Sequence, residues 1–302
     1  MPSSVQARFV CASLLMLSGC ARELVVAREL DVGIEDDAPR FNPCAPASPD
    51  WLLCSGFEEG SFARWVDLDG NPASTNQLLA DPGPHARAGN HVARLSPAPG
   101  VDSGADLVAE LAPTEGPIWA RWYAYAEPGF DFTVGQRGAG FHGGSRSLLG
   151  SAGSRPNGSD WYTVLFTTDN TGRHILSSYY PGMTQDCAPP VYCNGDRLPC
   201  VTCDLPADQP QRARTLAIAG RWTCIEMMID PGAPAPTAAA ATGTMNAWVD
   251  GNELGPFTDR WFRSDAALLP TWLWLNLYFR DEHSDAGMRI DDVIIATRRI
   301  GC

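Results

Sequence analysis

The sequence predicts an all-β sandwich whose long loops are stapled by disulfides. Three observations carry this. Segments that alternate apolar and polar residues recur along the chain, whereas helical periodicity is hard to find. Turn signals separate them: Asp169-Asn170-Thr171-Gly172, Pro231-Gly232 and Asp250-Gly251-Asn252. Ten cysteines fall within 302 residues, more than a reduced cytosolic chain of ordinary composition would carry.

In chain order, the expected strands are 92–96, 106–111, 118–126, 161–168, 173–180, 215–218, 221–229, 244–250, 271–279 and 289–297. The stretch from Pro231 to Gly243 is rich in Ala, Pro and Thr and reads as a loop. Residues 183–212 hold four cysteines and show no strand pattern. A loop of that length is usually functional or stapled, and these cysteines supply the staples. No internal repeat is visible.

The amino terminus reads as a targeting segment. Arg8 precedes an apolar run from Phe9 to Leu17, too short for a permanent membrane span. It ends in Leu17-Ser18-Gly19-Cys20, which resembles the lipobox of bacterial lipoproteins. That resemblance implies a signal peptide over 1–19 and lipidation of Cys20. Residues 20–43 then form a charged tether and 44–302 one domain. The expected location is outside the cytoplasm, lipid-anchored to the outer membrane on its periplasmic or surface face.

Cys11 leaves with the signal, so eight cysteines remain: Cys44, Cys54, Cys187, Cys193, Cys200, Cys203, Cys224 and Cys302. An even number in an exported chain reads as four disulfides. The Cys200-x-x-Cys203 spacing also suits zinc, but an oxidising compartment favours disulfides. Connectivity is open in sequence. The expected pairing is Cys44 with Cys54, Cys224 with Cys302, and two bridges within 187–203.

Net charge is −13, which excludes nucleic-acid binding driven by phosphate neutralisation. There is no lysine, so neither a lysine base nor a Schiff base is available. The domain is expected to act as a monomer.

Two strands carry the functional reading. In 271–279, alternation puts Leu273, Leu275, Leu277 and Phe279 on one face and Trp272, Trp274, Asn276, Tyr278 and Arg280 on the other. In 118–126, Trp119, Arg121, Tyr123 and Tyr125 share a face. Aromatic rings beside Arg and Asn suit a sugar groove, because pyranose C–H faces stack on rings and hydroxyls need planar polar partners. The same faces would equally serve as a second core beneath loops or a helix.

The order of several short motifs resembles the concanavalin A-like jelly roll. Gly56-Phe-Glu-Glu-Gly60 with Trp65 is similar to its opening strand, and Gly220-Arg-Trp-Thr-Cys-Ile-Glu226 to a Gly-x-Trp strand. Ala247-Trp-Val-Asp-Gly251 is similar to its hairpin, and Ile290 to Thr297 to the closing strand. Within that superfamily the chain resembles the alginate and glucuronan lyases in the strand Ile118 to Tyr125, the Gly-rich segment Gly135 to Gly144, and Ser177-Ser-Tyr-Tyr-Pro181. The resemblance implies a surface lipoprotein that engages polysaccharide, with β-elimination on a uronate polymer as its chemistry. The alternative is a non-catalytic carbohydrate-binding or adhesion lipoprotein.

Such elimination needs a cation beside the carboxylate, a base for the C5 proton and an acid for the leaving oxygen. Arg121, Arg137 and Arg173 are candidates for the first, and His142, His174, Tyr179 and Tyr180 for the others. The set taken forward as catalytic is Arg121, His142, His174 and Tyr180. Arg137 stands in the Gly-rich segment where such lyases often carry lysine, and it cannot act as a base. Trp119, Tyr123, Tyr125, Arg137, Trp272, Trp274, Asn276, Tyr278 and Arg280 are the expected sugar contacts. No paired-carboxylate glycosidase motif is present. No cofactor is required; the resemblance allows a structural calcium near Glu58, Glu59, Asp291 and Asp292, with Glu58 and Asp292 as its expected ligands.

Overall fold

A computed structural model of the chain describes residues 44–45, 47–66, 76–80, 89, 91–99, 103–134, 136–151, 153–184, 193–199, 216–280 and 285–302. All belong to the compact unit Pro39–Cys302. The signal, Cys20 and the tether lie outside the described residues.

The strands are β1 (Trp51–Ser55), β2 (Asn76–Ala80), β3 (His91–Leu95), β4 (Ser103–Glu110), β5 (Ile118–Ala126), β6 (Gln136–Arg137), β7 (Gly140–Gly144), β8 (Trp161–Thr168), β9 (His174–Tyr179), β10 (Asp196–Leu198), β11 (Trp222–Asp230), β12 (Gly243–Val249), β13 (Asn252–Glu253), β14 (Phe257–Arg260), β15 (Pro270–Phe279) and β16 (Met288–Ala296). They form two antiparallel sheets. The first runs β13-β12-β11-β5-β16-β3-β2, with β1 beside β16 and β14 beside β12. The second runs β10-β9-β8-β7-β15-β4, with β6 beside β15.

The core fills the space between the sheets, as alternation requires. The first sheet contributes Ile118, Ala120 and Trp122 from β5, Met227 and Ile229 from β11, and Met245 and Ala247 from β12. The second contributes Phe141, Val164, Phe166, Leu273, Leu275 and Leu277. Trp122 meets Phe166 edge-on across the interface, with centroids 6.3 Å apart. Each buried Leu, Ile, Val, Phe or Met side chain among these stabilises the fold by about 1.5–3 kcal/mol relative to exposure.

The topology corrects one expectation. Strands β5 and β15 were expected to line one groove, but they lie in different sheets. Each turns its aliphatic side inward, so their aromatic sides face away from each other on opposite surfaces. Trp119, Arg121, Tyr123 and Tyr125 therefore cannot share a sugar with Trp272, Trp274, Asn276 and Tyr278.

Of the expected strand 215–218, the described residues 216–218 form no strand: Leu216 makes an isolated bridge to Arg173. The Gly-rich segment, absent from the expected strands, contains β7. A Cβ at Gly140 would overlap the Val164 carbonyl, and one at Gly144 the Asp160 carbonyl. These glycines let β7 lie against β8, and the resulting composition hides the alternation. Cys44–Cys54 and Cys224–Cys302 form the expected disulfides. Cys193 is disulfide-bonded; Cys187, Cys200 and Cys203 lie outside the described residues.

Candidate functional site on the second sheet

The outward face of the second sheet holds a row of side chains in register. Trp272 of β15 pairs with His142 of β7, His142 with Thr163 of β8, and Thr163 with Tyr179 of β9. The next row runs Trp274, Gly140, Leu165, Ser177 and Arg197. Asn276 pairs with Asp106 of β4.

His142 is fully buried. Its Nε2 lies 3.2 Å from the Ser145 carbonyl, and its Nδ1 lies 2.7 Å from Thr163 Oγ1. A carbonyl only accepts, so Nε2–H donates to Ser145 and Nδ1 accepts from the Thr163 hydroxyl. Burial lowers the imidazole pKa to about 4, partly opposed by the Ser145 bond. The ring is therefore neutral at pH 7, with one tautomer fixed. It stacks on Trp161 at 6.2 Å, and Trp161 leans on Tyr179 at 5.9 Å.

Trp272 Nε1 donates to the Gly144 carbonyl at 2.9 Å. Trp274 Nε1 and Asn276 Nδ2 both donate to Asp106 Oδ1. The Trp274 ring packs with Val108, Leu149 and Leu165 in a second small apolar cluster, leaving it 4% exposed. A cavity of about 10 Å³, room for roughly one water, opens between Gly150, Ser151, Trp161, Thr163, Leu165, Tyr179 and Trp274. Tyr278 is half-buried against Gly104, and Arg280 is exposed just past β15. Arg137 pairs with Tyr278 in register; its side chain lies outside the description.

Tyr180 does not join this row. Its hydroxyl donates to Asp196 Oδ2 at 2.7 Å and accepts from Arg260 Nη1 at 3.3 Å. Burial, then the bond to Asp196, raises its pKa, the wrong direction for a base at neutral pH. Its neighbour Tyr179 occupies the outward position. His174, the other expected proton carrier, points between the sheets, where it stacks on Phe166 at 4.9 Å. Burial lowers its pKa to about 4.

The outward face of the first sheet holds Trp119, Arg121, Tyr123 and Tyr125. Arg121 lies 5.0 Å over the Tyr123 ring and opposite Glu226 in register. Glu226, fully buried, accepts from Arg299 Nε at 3.3 Å and from the amides of Ile300 and Gly301 at 2.7 and 3.1 Å. Arg299 also lies 4.3 Å over Trp248. With Cys302 tied to Cys224, the carboxy-terminal segment is clamped along this face. Arg121 is thus separated by the whole core from His142.

The expected calcium ligands Glu58 and Asp292 are both among the described residues. Among the described residues, no group of three or more His, Cys, Asp or Glu side chains is placed to hold a metal. Glu58 accepts from the His91 amide at 3.2 Å, and Asp291 from the Asp292 amide at 2.7 Å.

Sequence reasoning missed Trp161, Thr163 and Asp106. The parity of β8 was available to reveal the first two, since Trp161 and Thr163 alternate with the core residues Tyr162 and Val164. The same parity, counted along β9, separates Tyr179 from Tyr180.

No family model and no curated protein matches the sequence. Solved structures do match. An alginate lyase from a Chlorella virus aligns with a TM-score of 0.53 at 14% identity, over 74% of this chain and 90% of that one. A marine alginate lyase from Aplysia kurodai aligns with a TM-score of 0.57 at 12% identity, over 82% and 99%. An endo-β-1,4-glucuronan lyase from the fungus Trichoderma reesei aligns with a TM-score of 0.52 at 11% identity, over 82% and 96%. The chain therefore has the β-sandwich fold seen in these alginate and glucuronan lyases.

Proposed function

We propose that the protein is an exported, lipid-anchored polysaccharide lyase-like protein that engages a uronate polymer on the outward face of its second sheet. The observation that supports this best is the in-register row Trp272, His142, Thr163 and Tyr179 in a fold that alginate and glucuronan lyases share. In β-elimination a base removes the C5 proton, the C4–O bond breaks as the C4=C5 bond forms, and the departing oxygen takes a proton. Tyr179 is the proton carrier of this reading. His142, Thr163 and the buried Trp161 hold the floor beside it, and the half-buried Trp272 supplies ring surface. Arg197 and Arg280 are exposed cations on this side for the carboxylate charge.

A second reading is a non-catalytic carbohydrate-binding lipoprotein. What favours it is that both ring nitrogens of His142 are engaged and that no lysine exists in the chain. One experiment separates the two: ultraviolet absorbance of unsaturated uronate, followed over alginate, glucuronan and pectate, with calorimetric binding to the same polymers. Product absorbance supports the lyase; binding without product supports the second reading; neither refutes both. The anchor is tested by Cys20→Ser, which should move the protein out of the membrane fraction. Retention as firm as the parent's would end the lipoprotein reading.

A further inference from the structure

The outward row of the second sheet is covered by its own chain. Residues 145–151 leave β7, make a 3-10 turn over Arg146–Leu148, and lie against the face, Leu149 on Leu165 and Trp274 and Gly150 and Ser151 beside Trp161 and Tyr179. The backbone hydrogen bonds of this turn between described residues are internal: Leu148 N to Ser145 O, Leu149 N to Arg146 O, and Ser151 N to Leu148 O. Leu148 of the turn packs against the main core cluster, and further contacts reach the site itself. The Ser145 carbonyl accepts from His142 Nε2, and the Leu149 side chain sits on Trp274, Leu165 and Val108. Gly144, Gly150 and Gly153 bracket the segment with φ of 107°, 75° and 92°. Left-handed glycines at both ends let the backbone turn sharply.

We propose that residues 145–151 are a lid, closed in this structure, that holds His142 through the Ser145 carbonyl and Trp274 through Leu149. Lifting it exposes the Trp272 and Trp274 rings and frees the Nε2 side of His142. The two halves of the site are thus released together, one apolar and one proton-bearing. That the entering ligand is a polysaccharide rests on the function proposed above; the closed contact itself needs no ligand.

The test begins with amide hydrogen exchange on the native protein. The amides of Leu148, Leu149 and Ser151 should exchange roughly 100-fold or more faster than those of Val164 and Phe166, as a locally opening segment does. Leu149→Ser removes the plug, and Gly150→Ala strains the closed turn at its positive φ. In either variant, the His142 side-chain titration midpoint seen by NMR should rise from about 4 toward the ordinary value of about 6.5. Alginate or glucuronan should then bind roughly ten-fold more tightly, as expected when a competent state is made more populated. Lid amides as slow as those of β8 would overturn the lid even if a variant fails to fold. An unmoved midpoint in a folded variant would do the same. A midpoint that moves while neither polymer binds would keep the lid and remove the polysaccharide reading.

Discussion

Trp274→Ala distinguishes a packed residue from a ligand platform. The ring is 4% exposed and packs on Val108, Leu149 and Leu165, while its Nε1 donates to Asp106. Truncation removes nearly the whole buried indole and leaves a hole that Leu149 can fill only in part. The expected loss is about 3–5 kcal/mol, the range for Trp→Ala in a closed interior. Asp106 keeps the Asn276 donor and is half-exposed to water, so its lost bond adds little. For a domain of this size about 1 kcal/mol moves the melting temperature by about 2–4 °C. The midpoint should therefore fall by about 6–20 °C in a calorimetric scan. Leu149→Ala should overlap with it: the double variant should lose less than the sum, because each truncation removes part of the same contact. A Trp274→Ala protein melting within about 2 °C of the parent would refute the packing argument and return Trp274 to an exposed stacking role.

Acid should act through histidines first. His142 and His174 have folded pKa values of about 4 because of burial, below the unfolded value of about 6.5. Below about pH 6.5 the unfolded chain takes up these protons first, so their contribution is full above that pH and lost as pH falls through 4. The loss is roughly 3 kcal/mol for each, and urea titrations at several pH values should show His174→Phe roughly halving the slope in that window; an unchanged slope would contradict it. Glu127, lowered to about 2 by its hydrogen bond from Arg94, adds a second loss only between about pH 4.5 and 2. Cys302→Ser opens a disulfide spanning 78 residues and should cost about 4.5 kcal/mol by loop-closure entropy. A reductant-insensitive melting temperature would count against that staple. Finally, Tyr180→Phe should lower stability by about 1–3 kcal/mol by stripping a buried bond from Asp196 and leave turnover alone. Tyr179→Phe should do the reverse, lowering product formation more than binding, and equal effects of the two would refute the assignment.

The long alternating strands were legible in sequence because half-buried sheets write their period into every second residue. The spans around 118–126, 161–168 and 271–279 lie within a residue of β5, β8 and β15. Short or glycine-rich strands carry too few side chains to show a period, and β7 with three glycines in five residues is the clearest case. Pairing was less legible than strand existence. Nothing local in 118–126 or 271–279 says which sheet each joins, so their aromatic faces looked like one groove. Tyr180 was preferred over Tyr179 for a related reason: two adjacent tyrosines differ only in which side of β9 they face, and a pattern that ends in Pro181 leaves that parity weak.

The position of β16 has a consequence for how the chain matures. It lies at the centre of the first sheet, flanked by β5 on one side and by β3 and β1 on the other. Cys54 finds its register partner only at Ile294. Until β16 arrives, β5 has one open edge and β1 lacks its partner on that strand. Contacts of such long sequence separation make folding slow, and exposed strand edges invite pairing between molecules. In a chain threaded across a membrane amino terminus first, the early strands would wait in that state for most of the transit. For a chain exported as proposed, the period of greatest aggregation risk would then be set by translocation speed, and a holding chaperone on the far side would raise its yield.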